Sequence, residues 1–166
     1  MARLALPDIP DADRLAALAI RGVVGPVMAY HGYQKLTRPG GAGAFADSVS
    51  QLEAFGMGLP RLAGYIVVAI ELIGGLCILA GFLTRIWSLL LAVQMFSIPF
   101  VVKSQVGLIA PEGGGTGFEL DLLIGVCAVA LVLMGPGALA LDEVLGVEGA
   151  RREAAGARGT RPARGH

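Results

Sequence analysis

The chain has 166 residues, of which 55% are hydrophobic and 16% charged, with 13 basic and 13 acidic side chains cancelling to a net charge of zero. A soluble domain carries about 25% charged residues, and a chain this short has too much surface for its volume to hide so much apolar side chain from water. Lipid must therefore cover part of it, and the balanced charge gives no overall field that would draw it to nucleic acid.

The chain opens on a segment, residues 1–14, whose Asp8, Asp11 and Asp13 lack the basic character of a signal-peptide leader, so the N-terminus is predicted to be retained. Four apolar runs follow, over residues 15–36, 62–83, 86–103 and 118–135. A spanning helix needs about 20 mostly apolar residues, range 17–25, and each run meets that length. The predicted fold is an all-α membrane protein, a bundle of four transmembrane helices within a membrane domain at residues 15–145.

Between the first two runs, Phe45, Val49, Leu52 and Phe55 recur at helical spacing while Asp47, Ser48, Ser50, Gln51 and Glu53 fill the other faces. That pattern predicts a short amphipathic helix on the membrane surface or against the bundle. Thr84-Arg85 reads as the hairpin between the second and third runs. The glycine-rich stretch 105–117 lacks the preceding strand and the Gly-Lys-Ser/Thr of a phosphate loop, so it reads as a turn. Residues 146–166 are rich in Gly, Ala and Arg, with little that can pack, and are predicted to be disordered.

With four spans, both termini share a side with the Thr84-Arg85 hairpin. That side would hold eight basic residues, Arg3, Arg14, Arg85, Arg151, Arg152, Arg158, Arg161 and Arg164, against four on the other, Lys35, Arg38, Arg61 and Lys103. Excess Lys and Arg marks the cytoplasmic side, so both termini are expected there.

The charges inside the runs carry the functional signal. An ionisable side chain at the centre of a span costs roughly 2.5–3.5 kcal/mol on insertion scales and tends to face the bundle interior. Glu71 lies mid-run with apolar neighbours on both sides, too deep to snorkel to water, so its carboxyl must be protonated, paired or facing a wet cavity. Arg21, His31 and Lys35 fall within an arc of roughly 80° on the first helix at 100° per residue. The expected site is a polar pocket around Glu71, with His31, Arg21, Lys35 and Glu119 as candidate members and Lys103 beside its mouth. For Lys35, Lys103 and Asp121, at helix ends, snorkelling to the interface is the ordinary reading. Tyr30, Tyr33 and Trp87 read as interface anchors. Cys77 and Cys127 sit in apolar runs without Cys-x-x-Cys or Cys/His spacing, so neither a redox pair nor a metal site is indicated.

The same residues carry a resemblance. Arg21, Gly25, His31-Gly32 and Lys35, then Glu71, Gly74-Gly75, Gly81 and Thr84-Arg85, then Glu119, and finally Gly135-Pro136-Gly137 and Leu141-Asp142 resemble the pattern of the DoxX family. The likeness runs from about Arg21 to Asp142 and includes Glu53, Gly56 and Pro60. It rests on order and spacing rather than on a single motif. Where that family usually has a basic residue and Ser after Gly-Pro-Gly, this chain has Ala138 and Ala140. The resemblance implies a bacterial inner-membrane protein, in some members associated with quinone-linked sulfur oxidation or membrane oxidoreductase complexes.

Three functions compete. The first is an accessory membrane subunit of a quinone-linked oxidoreductase, with Glu71 and His31 serving a quinone and Arg21 or Lys35 polarising an oxygen. No flavin, haem or iron–sulfur motif is present, so electrons would come from a protein partner. The second is a small proton-coupled transporter using Glu71, and the third a scaffold or assembly subunit without chemistry of its own. All three imply a lipid bilayer and either a partner protein or a homo-oligomer.

Overall fold

The computed structural model describes residues 10–50, 53–54, 57–58, 60–103, 107–110 and 117–147. Leu52, Phe55, most of the glycine-rich stretch, and the segments at 1–9 and 148–166 lie outside the described residues.

Helix α1 (Ala12–Thr37) is followed by α2 (Gly41–Ser50) and a two-residue antiparallel hairpin, β1 (Glu53–Ala54) with β2 (Met57–Gly58), in the register Glu53 to Gly58 and Ala54 to Met57. Helix α3 (Arg61–Ala69) and helix α4 (Gly75–Ala80) form one continuous rod through a π-helical turn at Ile70–Gly74. Helices α5 (Thr84–Val101) and α6 (Glu119–Met134) pack along each other, and the short α7 (Leu141–Val144) closes the described chain. The predicted amphipathic helix is present over Gly41–Ser50 among the described residues, and α2 lies against α3.

The fold is inside-out by the standard of a soluble protein. Val23, Val27, Ile66, Ile73, Leu89, Val93, Phe100, Leu123, Val126 and Leu133 are exposed on all the long helices. Such a continuous apolar exterior is what lipid covers. The interior is a thin seam of Ala17, Val24, Met28, Ile78, Leu91, Met95, Ile124 and Leu131. Trp87, read from sequence as an interface anchor, packs partly buried against this seam and over Gly74, whereas Tyr30 and Tyr33 are exposed.

The four-span expectation is corrected here. Among the described residues three helices are long and apolar enough to cross a membrane, Ala12–Thr37, Arg61–Ala80 and Thr84–Val101. The fourth run is apolar throughout, but α6 holds 16 residues. At 1.5 Å per residue that is about 24 Å, short of the roughly 30 Å hydrocarbon core. Its flanks do not extend it: Phe118 lies outside the helix and Gly135 leaves helical geometry at φ 84°. The placement of both termini on one side depended on that fourth span and goes with it.

The turn between the second and third spanning helices also differs from expectation. It is made by Gly81-Phe82-Leu83, with Gly81 at φ 72° and Leu83 at φ 48°, and Thr84-Arg85 open the next helix. Asp142 explains how this turn is held. Fully buried, its carboxylate accepts from the backbone N–H of Leu83 at 2.8 Å and of Thr84 at 3.1 Å, and its own N–H donates to Gly81 O at 2.9 Å. A carboxylate at a helix start satisfies orphan N–H groups and opposes the helix dipole. Asp142→Ala is expected to destabilise the protein by about 2 kcal/mol, with Asp142→Asn recovering part of the loss, as read by denaturant unfolding in detergent.

Candidate functional site

The two ends of the bundle treat their polar residues differently. At the Asp142 end the buried polar side chains, Arg21 and Asp142, are spent on backbone groups. Arg21, 2% exposed, donates through Nη1 to Pro136 O and through Nη2 to Leu139 O at 3.2 Å, so its guanidinium clasps the segment after α6. Gly135-Pro136-Gly137 is buried here, and Arg14 pairs with Glu143 beside it.

At the opposite end the helices part around a cavity of about 460 Å³. Its walls are largely apolar: Met28 from α1, Phe45 and Val49 from α2, Ala63 and Val67 from α3, Met95 and Ile98 from α5, and Leu120 and Ile124 from α6. Its polar lining is His31, Lys35, Glu71, Gln94, Ser97, Lys103 and Asp121.

Glu71 is the centre of this lining. It occupies the π-helical turn, which adds one residue to the ordinary helical spacing and often marks a functional position. The carboxylate is 3% exposed and both of its oxygens are engaged. Lys35 Nζ of α1 donates to Oε2, and Gln94 Nε2 of α5 donates to Oε1 at 2.8 Å. Three separate helices thus meet on one carboxylate. The ammonium of Lys35 also sits 5.3 Å from the centroid of the Phe45 ring, a cation–π contact that ties α2 to the pair. A second ion pair stands at the rim, where Lys103 Nζ reaches Asp121 Oδ2 at 2.6 Å and Gly117 O at 2.7 Å. The charges compensate in pairs, so the cavity presents donors and acceptors without a net charge from these four groups. That suits a neutral, mostly apolar ligand with a few polar atoms.

One polar atom of Gln94 is left over. Gln94 is 7% exposed, and its Oε1 is buried without a hydrogen-bond partner. The amide orientation follows from the network: a carboxylate already paired with Lys35 accepts, so the NH2 must face it and the oxygen must face away.

Residues 16–104 match the DoxX family, more than half of the 166-residue chain. The chain belongs to the DoxX family. It is also 33% identical over 128 residues to a Bacillus subtilis (strain 168) protein named "Putative oxidoreductase CatD", an alignment covering 77% of this chain and 85% of that one. No solved structure matches the chain. Family membership and its apolar spanning helices make this DoxX protein a multi-pass membrane protein.

Of the residues singled out from sequence, the DoxX fold gathers Glu71, Lys35 and His31 at the cavity, His31 on its exposed outer wall. Arg21 is at the far end of α1 in the Asp142 clasp. Glu119 is exposed at the start of α6, and the carboxylate that lines the cavity from that turn is Asp121. Lys103, placed beside the mouth in the sequence reading, is there and is paired. Gln94 and Asp121 were not singled out as members. Gln94 had a signal, since an amide amid Leu-Leu-Leu-Ala-Val and Met-Phe is expensive in a span unless it has a partner. Asp121 had none beyond its place in the first turn of an apolar run.

Proposed function

We propose that this DoxX protein is the membrane subunit of an oxidoreductase complex in the bacterial inner membrane, and that the cavity beside Glu71 receives a lipid-soluble quinone-type carrier. The observation that carries this reading is the Lys35–Glu71–Gln94 cluster, with Glu71 and Gln94 buried, on the wall of a largely apolar cavity. A quinone arrives through lipid, packs its ring on apolar walls, and needs a hydrogen-bond donor for its carbonyl oxygen. Lys35 Nζ holds three N–H donors and spends one on Glu71, which leaves donors to orient a ligand oxygen. Glu71, gripped from two helices, fixes that ammonium in place and is a carboxylate positioned to exchange a proton near it. Reduction of a quinone takes two electrons and two protons. The electrons would come from a partner protein, since the sequence carries no flavin, haem or iron–sulfur motif. The name of the Bacillus subtilis relative is consistent with such a role.

The test is ligand retention. Protein purified in mild detergent is expected to hold quinone, native or supplied as decylubiquinone, at near-stoichiometric levels by mass spectrometry of extracted lipid. Glu71→Gln is expected to retain a tenth of that or less, with its folding checked by gel filtration. Equal occupancy in the variant, or none in either protein, would remove the cavity as a carrier site and leave a scaffold role.

A further inference from the structure

We infer that the outer face of α1, at the cavity end, carries a site for an anionic phospholipid, whose phosphate sits at Arg38 and Gln34 while its chains descend along Val27 and Val23. The inference goes beyond the carrier reading and does not depend on it. An open groove of about 300 Å³ is lined by His31, Gln34, Lys35 and Arg38. Each of these side chains can donate a hydrogen bond, and none is acidic. The charge of Lys35 is compensated by Glu71. Arg38 is exposed, and its guanidinium has no partner among the described residues, so the groove holds an uncompensated cation. Arg61, also exposed, is by contrast spent on Asp47.

Helix length sets the depth of this groove. The 26 residues of α1 span about 39 Å at 1.5 Å per residue, against a hydrocarbon core of roughly 30 Å. Shared equally, the excess is about three residues at each end, which puts the hydrocarbon boundary near Gln34 and Arg38 in the headgroup layer. Tyr30 and Tyr33, both exposed, lie within a turn of that boundary, where the amphipathic rings of spanning helices collect. At 100° per residue, Gln34 and Arg38 lie about 60° and 20° to one side of His31, and Val27 and Val23 about 40° and 80° to the same side. Both valines are exposed, so an apolar strip runs down the helix from beneath the donors. A helix C-terminus accounts for a cation here, but not for the further donors around it or the strip below. A guanidinium pairs with two oxygens of a phosphate at once, and an acyl chain matches the strip. Phosphatidylcholine offers the same phosphate but brings a quaternary ammonium, and the groove has no acidic side chain to receive it.

The experiment is lipid retention by the full chain in dodecyl maltoside. The protein is incubated with equimolar dioleoyl-phosphatidylglycerol and dioleoyl-phosphatidylcholine, passed through gel filtration, and its lipid extracted for mass spectrometry. Phosphatidylglycerol is expected to be retained about five-fold or more over phosphatidylcholine, the effect of one cation near a lipid surface. Arg38→Gln is expected to reduce that preference to less than about two-fold, and Arg61→Gln to leave it unchanged. Both positions are exposed, so both variants are expected to elute as the wild type does. Equal retention of the two lipids by the wild type, or retention of neither, would overturn the inference. So would a preference that survives Arg38→Gln, or one lost equally in Arg61→Gln, which would mean a diffuse field rather than a site. Displacement of the phosphatidylglycerol by excess inorganic phosphate would assign the groove to a free anion and overturn the lipid. None of these outcomes bears on quinone retention, which Glu71→Gln tests separately.

Discussion

Glu71→Leu is expected to destabilise the protein by about 2–4 kcal/mol, and the double variant Lys35→Met/Glu71→Leu to recover most of that loss. The reason lies in what each change leaves behind. Removing the carboxylate alone strands the Lys35 ammonium, which is 21% exposed, against the Phe45 ring and the apolar wall. It also strands Gln94 Nε2, whose partner is Glu71 Oε1. An unpaired buried charge is worse than no charge, because desolvation is still paid and the compensating attraction is gone. Lys35 retains some reach toward water, which places the expected loss below that of a fully enclosed pair. Replacing both ions with apolar side chains of similar size removes the stranded charge and keeps the packing. Denaturant unfolding of all four proteins of the cycle in one detergent measures the coupling directly. A coupling below about 0.5 kcal/mol would mean that Lys35 and Glu71 do not act as a pair in the folded protein.

The same pair shows why part of the site was legible in the sequence and part was not. Glu71 announces itself, because a lone carboxylate in an apolar run has a cost that depends only on its immediate neighbours. Its partners come from α1 and α5, and their arrival depends on where those helices cross the π-helical turn, which no local pattern encodes. Arg21 was grouped with Lys35 because the two share a face of α1. A shared face fixes direction but not depth: 14 residues separate them, about 21 Å along the helix. Arg21 therefore belongs to the clasp on Pro136 and Leu139 at the other end. Glu119 and Asp121 show the complementary error. Two residues apart, they point about 200° from each other on a helix, so only one could line the cavity.

Hydropathy located the three long helices to within a few residues, since apolar length is a local property. It also placed α6 to within one residue at each end, but the 16 residues between Phe118 and Gly135 are too short for the span that was expected of them. In that run, composition alone could not separate a spanning helix from a shorter one, and the Gly-Pro-Gly was the signal that set its end. That signal also had a second use the run itself did not reveal. By ending α6 early, it frees the chain to turn back under Arg21 and deliver Asp142 to the start of α5.

Gly75→Ala and Gly32→Ala are each expected to cost about 3 kcal/mol or more and to open the α1 crossing, whereas Gly22→Ala on the same α1 is expected to be neutral or mildly stabilising. A Cβ on Gly32 would lie within 3 Å of the backbone nitrogen of Leu72, and a Cβ on Gly75 within 3 Å of the backbone nitrogen of Ala29. Both obstacles are main chain, so no side-chain rotation relieves them and the helices must separate. Overpacking against flexible side chains costs about 1–3 kcal/mol, and a rigid backbone neighbour sits at or above the top of that range. Gly22 has nothing within 4 Å of the same position, and alanine there gains about 1 kcal/mol of helix propensity over glycine. Close approach through small residues is how helices pack in lipid, where apolar burial gives no preference for protein over solvent. Here the approach also sets the site, because Gly32 lies three residues before Lys35 and Leu72 directly follows Glu71. Separating the helices at that crossing moves the ammonium away from the carboxylate. Gly32→Ala is therefore expected to lose carrier retention along with stability, while Asp142→Ala, at the opposite end, is expected to lose stability with retention preserved. Mass spectrometry of lipid extracted from the two variants, each compared at a temperature where it remains folded, separates the crossing from the clasp. Equal retention in Gly32→Ala and wild type would show that the Lys35–Glu71 geometry does not depend on this contact.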